Sequence, residues 1–271
     1  MTIREQVRAW EERRDTVFCP VDFAAFWNSR MTAAGPVEAT ACPVSFANPR
    51  AVYERLTLAA GERVISARVI RPRGEGAFPT VLMFHDMGRG VRGWHHMTRF
   101  IAMGYGVVAM EHGLTGSPMV GDYSWEQLLS CYEDALILTG EAMALSHVDA
   151  DRILTWGEGF GGGLAIVAAA MAGRAVRCAA LNPMPGDVRR VHGLADEAGP
   201  SLPDYLELAN FAPMVEGRVL LGTSLMDEVA DVGGQYAVWH RLRCEKRHLT
   251  YPKYIHERIN FFENEVLKFM A

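Results

Sequence analysis

Short apolar runs recur along most of this 271-residue chain, and they narrow its fold more than any other feature. Residues 63–70 (RVISARVI), 79–85 (PTVLMFH), 106–111 (GVVAME), 152–157 (RILTWG), 176–181 (VRCAAL), 218–222 (RVLLG) and 247–251 (RHLTY) read as strands. Strands that are apolar on both sides belong in a mostly parallel sheet with helices on each face. Helical spacing of apolar residues around 94–103, 124–146, 160–172, 233–243 and 259–270 supplies those helices, at distances that suit β-α-β units. The expected fold class is α/β, a doubly wound sheet in a single domain over 1–271.

Two segments stand outside that alternation. Residues 1–50 form a helical N-terminal extension, broken by Pro20, Pro36 and Pro43. In it DFAAFW (22–27) sets Phe23, Phe26 and Trp27 at helical spacing, as a strut packed on the main body would. Residues 189–213, with Pro200 and Pro203, are longer than an ordinary connection and read as a cap or lid segment.

Composition removes whole classes of partner. A formal net charge of −5 gives no broad basic surface, so nucleic acid is not expected. The charged start MTIREQVRAWEERRD lacks the apolar core of a signal peptide, and no stretch of about eighteen apolar residues follows. A cytoplasmic protein without a membrane partner is the expectation. Cys19, Cys42, Cys131, Cys178 and Cys244 are odd in number and never spaced C-x-x-C, which indicates neither a disulfide framework nor a zinc cluster.

The chemistry concentrates in RILTWGEGFGGGLAIVAAAMAG (152–173), a strand that turns sharply into an alanine-rich helix. Such a bend carries a nucleophile at the centre of G-x-S-x-G, where the next backbone N–H and the helix dipole face the developing oxyanion. Gly157 and Gly161 supply the flanks, but the centre is Gly159. The same residues contain G-x-G-x-x-G (157–162), a dinucleotide fingerprint. That reading wants the turn after the first strand, whereas at least three strand candidates precede this one.

Asp227 follows the run at 218–222 and His256 follows the run at 247–251, the chain order in which an elbow, an acid and a histidine assemble. MFHDMGRGVRGWHHM (83–97) leaves an early strand in a glycine-rich loop, where a second oxyanion donor belongs. The backbone N–H groups of Phe160 and Met87 are the candidate donors. His95 and His96 are adjacent on a helix, so their side chains diverge by about 100° and do not share a metal ion readily. No metal and no cofactor are expected.

Taken together, DFAAFW, FPTVLMFHDMGRGVRGWHHM, GYGVVAME, CYEDALILTGEAMALSHVDADRI, GEGFGGGLAIVAAA, LLGTSLMDEV and YIHERINFFENEVLKF resemble the acetyl xylan esterase and cephalosporin C deacetylase family of α/β-hydrolases, collinearly over nearly the whole chain. The resemblance implies an α/β-hydrolase fold and removal of acetyl groups from small oxygen esters by a Ser-His-Asp triad without a cofactor. It assigns the nucleophile position to Gly159, the acid to Asp227, the general base to His256, and the oxyanion donors to the N–H groups of Met87 and Phe160. The family's H-G-Y after the early strand reads His85, Asp86, Met87, which replaces a pocket tyrosine by methionine. Its R-G-Q-like turn reads Glu111, His112, Gly113. A homo-oligomer is compatible with the resemblance.

Glycine at 159 takes up the elbow's backbone angle freely and removes the hydroxyl that forms an acyl-enzyme. Glu158 is adjacent, but its side chain is expected to point away from His256, and Ser117, Ser124, Ser130 and Cys178 have no elbow context. Three functions stay open: an acetyl esterase with weak or absent turnover, a non-catalytic member binding a small acylated or carbohydrate-like ligand, and a lyase or isomerase that moves a proton with His256.

Overall fold

The computed structural model describes residues 2–13 and 17–270. Its strands, in chain order, are β1 (Glu38–Pro43), β2 (Ala51–Ala60), β3 (Arg63–Pro72), β4 (Phe78–Phe84), β5 (Gly106–Glu111), β6 (Val148–Glu158), β7 (Arg177–Leu181), β8 (Val219–Ser224) and β9 (Lys246–Tyr251). The helices are α1 (Ile3–Glu12), α2 (Phe23–Ala33), α3 (Trp94–Ala102), α4 (Trp125–Ala144), α5 (Phe160–Met171), α6 (Val188–Val191), α7 (Leu202–Tyr205), α8 (Leu208–Phe211), α9 (Val232–Arg241) and α10 (Asn260–Met270). One nine-stranded sheet runs in the order β1-β2-β3-β5-β4-β6-β7-β8-β9. From β5 through β9 the neighbours are parallel, while β1-β2, β2-β3 and β3-β5 are antiparallel.

The strands at the centre are those that the apolar runs mark. Every residue of β8 is buried, as are all but one of β4, β5 and β7, because helices cover the sheet on both sides. The core accordingly divides in two across the sheet, one side built around α4 and α5 and the other around α3 and α10.

Two strands carry no such run. In β2 buried and more accessible residues alternate, the period of a strand with one covered face. All of β1 is exposed, and its place is fixed by the backbone ladder to β2, from Glu38 opposite Ala59 to Pro43 opposite Glu54. The N-terminal extension therefore contributes an edge strand as well as its two helices.

The aromatic strut packs as its spacing predicts. Phe23 and Trp27 are buried, Trp27 Nε1 donates to the Tyr205 carbonyl at 2.9 Å, and Phe23 meets Phe211 edge-on at 4.9 Å. Within 189–213 the short helices α7 and α8 bring Leu206, Leu208, Ala209 and Phe211 into the main core. Glu207 is wholly buried there, accepting from Val188 N at 2.7 Å and Ala209 N at 2.9 Å.

Candidate active site

Close packing at the β6–α5 bend demands glycine. A Cβ on Gly157 would lie 2.0 Å from the Gly161 carbonyl oxygen, and one on Gly161 would lie 2.3 Å from that of Phe84. Those contacts press the start of α5 against the end of β4. Gly159 adopts φ +55° and ψ −124°, a left-handed conformation that an L side chain adopts only under strain. The backbone N–H groups that follow are left pointing out of the bend.

They do not point into an empty hole. Phe160 N and Met87 N each donate to Oδ1 of Asp86, both at 2.9 Å. Its other oxygen, Oδ2, lies 2.8 Å from His256 Nε2. A Cβ on Gly159 would sit 2.0 Å from Asp86 Oδ1 and 2.4 Å from its Cγ. The carboxylate thus fills the volume in which an elbow side chain would stand, and glycine at 159 is the residue that leaves room for it.

His256 and Asp227 are brought together by the turns that follow β9 and β8. His256 Nδ1 lies 2.8 Å from Asp227 Oδ2, while Asp227 Oδ1 accepts from Val229 N and Ala230 N at 2.9 and 2.8 Å. With a carboxylate on each ring nitrogen, both nitrogens donate and the ring is an imidazolium. Burial opposes that charge, but the hydrogen bonds and attraction of Asp227 and Asp86 outweigh it and raise the His256 pKa to about 9. At neutral pH the ring carries a proton rather than accepting one.

A second histidine pair holds the Asp86 backbone. His85 Nε2 accepts from His112 N at 3.1 Å, so its Nδ1 is the donor to the Asp86 carbonyl at 2.9 Å. His112 Nδ1 accepts from Leu114 N at 3.3 Å, which leaves its Nε2 to donate to the His85 carbonyl at 2.9 Å. Their rings stack at 3.6 Å. Both are neutral: burial lowers the His85 pKa, and burial followed by His85 itself lowers that of His112 to about 3.

Glu158 turns to Arg92, with which it forms an ion pair, rather than to His256. Burial, offset by Arg92, raises its pKa. Arg99, Arg258 and Glu263 extend this cluster, and His96 Nε2 accepts from Arg258 at 3.0 Å. Burial and then Arg258 lower the His96 pKa to about 4. Among the described residues, no three histidine, cysteine, aspartate or glutamate side chains are grouped as metal ligands.

Asp86 is the residue that sequence reasoning misses: the candidates weighed as stand-ins for the absent hydroxyl are all elsewhere. The signal is present in HDMG and GEGFG, where the position resembling the glycine of H-G-Y holds the acid and the position resembling serine holds glycine. Each change looks like a loss by itself. Only the approach of the β4 end to the β6–α5 bend shows them to be one exchange of side chain for space.

Two small cavities border Asp86. One, of about 10 Å³, is lined by Arg89, Glu158, Gly159, Asn182, His256 and Glu257. The other, of about 220 Å³, is lined by Trp156, Glu158 and the three arginines 89, 92 and 258. A larger cavity of about 650 Å³ lies at the amino ends of the parallel strands, beside Tyr105, Arg152 and Arg177, remote from these groups.

Comparison with known proteins agrees with the fold. The acetyl xylan esterase (AXE1) family matches residues 5–128, 122–209 and 200–271. Acetyl xylan esterase 1 from Thermoanaerobacterium sp. JW/SL YS485 superposes with a TM-score of 0.85 at 24% identity, covering 97% of both chains. Acetyl xylan esterase from Paenibacillus sp. R4 gives 0.86 at 20% identity, covering 97% of this chain and 98% of that one. These likenesses establish the α/β-hydrolase fold. The quorum-quenching protein AidA of Acinetobacter baumannii (strain MDR-ZJ06) is 31% identical over 107 residues, which span 39% of this chain and 35% of that protein.

Proposed function

Because the chain belongs to the acetyl xylan esterase family yet presents Asp86 where a substrate's carbonyl oxygen would bind, we propose that it is a hydrolase of this class with weak or absent turnover of small acetyl esters. One observation carries the reading: both oxyanion donors are already engaged, at 2.9 Å each, by the Asp86 carboxylate. A tetrahedral intermediate needs those donors free, because they supply its largest stabilisation. The acyl-enzyme route also lacks its attacking atom, since Gly159 has no side chain.

Direct attack by water on an acetyl ester meets the same obstacles. Proton abstraction requires neutral His256, which the two carboxylates disfavour below a pH of about 9. Asp227 nevertheless holds His256 as a catalytic acid holds its base, and a pure scaffold has no chemical need for that. Its ligands in this reading are small acylated or carbohydrate-like molecules, and its setting is the cytoplasm. The described helices give no counter-indication, none being long and apolar enough to cross a membrane.

The test restores the family's arrangement by two changes at once, Asp86→Gly with Gly159→Ser, and follows acetate release from p-nitrophenyl acetate. The double variant is expected to exceed the native chain by ~10³-fold or more, the scale on which triad members act. Gly159→Ser alone is expected to gain nothing, because its Cβ meets Asp86. A double variant that folds and stays at the native rate refutes the reading.

A further inference from the structure

We propose that Asp86 is itself a nucleophile, and that the chain hydrolyses short alkyl electrophiles, alkyl halides being the simplest, through an ester formed on Asp86 Oδ2. This goes beyond the esterase reading and concerns a different bond: displacement at a saturated carbon rather than attack on a carbonyl.

The argument begins with lone pairs. An ionised carboxylate offers about four acceptor positions. Oδ1 uses two on Phe160 N and Met87 N, and Oδ2 uses one on His256 Nε2. One position on Oδ2 is left to attack. Displacement at saturated carbon develops no oxyanion on the substrate, so the occupied hole is no obstacle to it. Attack on a substrate carbonyl would need the two donors that Oδ1 holds.

The second step explains why the hole is filled. Once Oδ2 is alkylated, the carbonyl to be hydrolysed is the chain's own, Cγ–Oδ1, and it already rests on both donors. Water attacking Cγ places negative charge on Oδ1, where the two N–H groups stabilise it without any rearrangement. Alkylation also removes the negative charge of Asp86, leaving Asp227 as the one carboxylate on His256. The imidazolium then releases its proton and can act as a base. The cavity of about 10 Å³ between Gly159, Asn182 and His256 has the size of about one water.

Atoms and electrons balance as follows. Oδ2 attacks the carbon, the carbon–halogen bond breaks, and halide leaves with the electron pair while His256 loses a proton to solvent. His256 next takes a proton from water, whose oxygen bonds to Cγ. The Cγ–Oδ2 bond breaks, and the departing alkoxide takes the proton from His256 to give the alcohol. The new acid on Cγ passes its proton to His256, which restores the carboxylate and imidazolium. The sum is alkyl halide and water giving alcohol, halide and a proton, with no further reactant.

The spaces beside Asp86 set the substrate's size. The cavity of about 220 Å³ is below the 300–1,000 Å³ of sites for drug-sized ligands, which restricts the electrophile to a short chain. Of its arginines, 92 and 258 are paired with Glu158 and Glu263, and Arg89 is the cation on its wall that suits an anionic leaving group or substituent.

The experiment uses the whole chain with propyl bromide and, separately, bromoacetate, in water enriched in heavy oxygen. In a single turnover the product alcohol is expected to carry ordinary oxygen, taken from Asp86, and the peptide containing Asp86 is expected to gain the heavy isotope. His256→Gln is expected to stall after alkylation and accumulate one alkyl group on Asp86, and Asp86→Asn to accumulate none there. Near-ultraviolet circular dichroism checks that both variants fold. Heavy oxygen in the first-turnover alcohol with Asp86 unlabelled overturns the proposal, as does the absence of any Asp86 adduct or label with both probes. Failure of the restored esterase leaves this result untouched, because the isotope is read on Asp86 in the native sequence.

Discussion

At residue 159 the structure decides between two side chains competing for one volume. Gly159 is compatible with Asp86; serine is not, since its Cβ would lie 2.0 Å from Oδ1 at a backbone φ of +55°. Gly159→Ser alone is expected to lower stability by about 1–3 kcal/mol through contact and backbone strain. Adding Asp86→Gly should recover much of that loss, so a double-mutant cycle in urea should show coupling between the two positions. Simple additivity would mean that they do not share the space. His256 adds a pH signature. Its folded pKa of about 9 stands above its ordinary 6.5, so the native state binds more protons than the unfolded chain between those values. The stability this confers is full below about 6.5 and is lost as pH rises through about 9. Urea midpoints across that range should fall more steeply for the native chain than for His256→Gln.

Among the elements, the β4 end and the β6–α5 bend form the site, and α2 shows how the N-terminal extension is bound to the fold beneath it. Trp27 is fully buried, lies 6.0 Å from the ring of Tyr132 and 5.3 Å from that of Phe211, and ties α2 to the Tyr205 carbonyl. Trp27→Ala is expected to destabilise by about 3–5 kcal/mol, through the lost burial and the cavity left behind. A thermal shift of less than a few degrees would show that α2 is docked more loosely than its contacts indicate. The histidines 85 and 112 serve the other element. Their interlocked backbone hydrogen bonds set the carbonyl of Asp86, and hence the direction in which its carboxylate leaves the chain.

For the molecule as a whole, the apolar runs at 79–85, 106–111, 152–157, 176–181 and 218–222 were sufficient for the central sheet, because a strand covered on both faces must be apolar throughout. The N-terminal half of the sheet was less legible: β2 has a single covered face rather than a continuous apolar run, and β1 has no buried face, so the place of β1 follows from its ladder of backbone hydrogen bonds to β2. Gly159, Asp227, His256 and the donors Met87 and Phe160 could be named in advance because their chemistry is written in local context, a bend after a strand or a turn in a given order. Asp86 could not, since its meaning depends on a residue 73 positions away. By itself the sequence determined the layered α/β architecture and, Asp86 apart, the candidate groups at one end of it, through hydrophobic pattern and turn chemistry. The tertiary structure alone decided which atom stands between the two amide donors and the imidazole, because that is a question of excluded volume between segments that meet only when the sheet has formed.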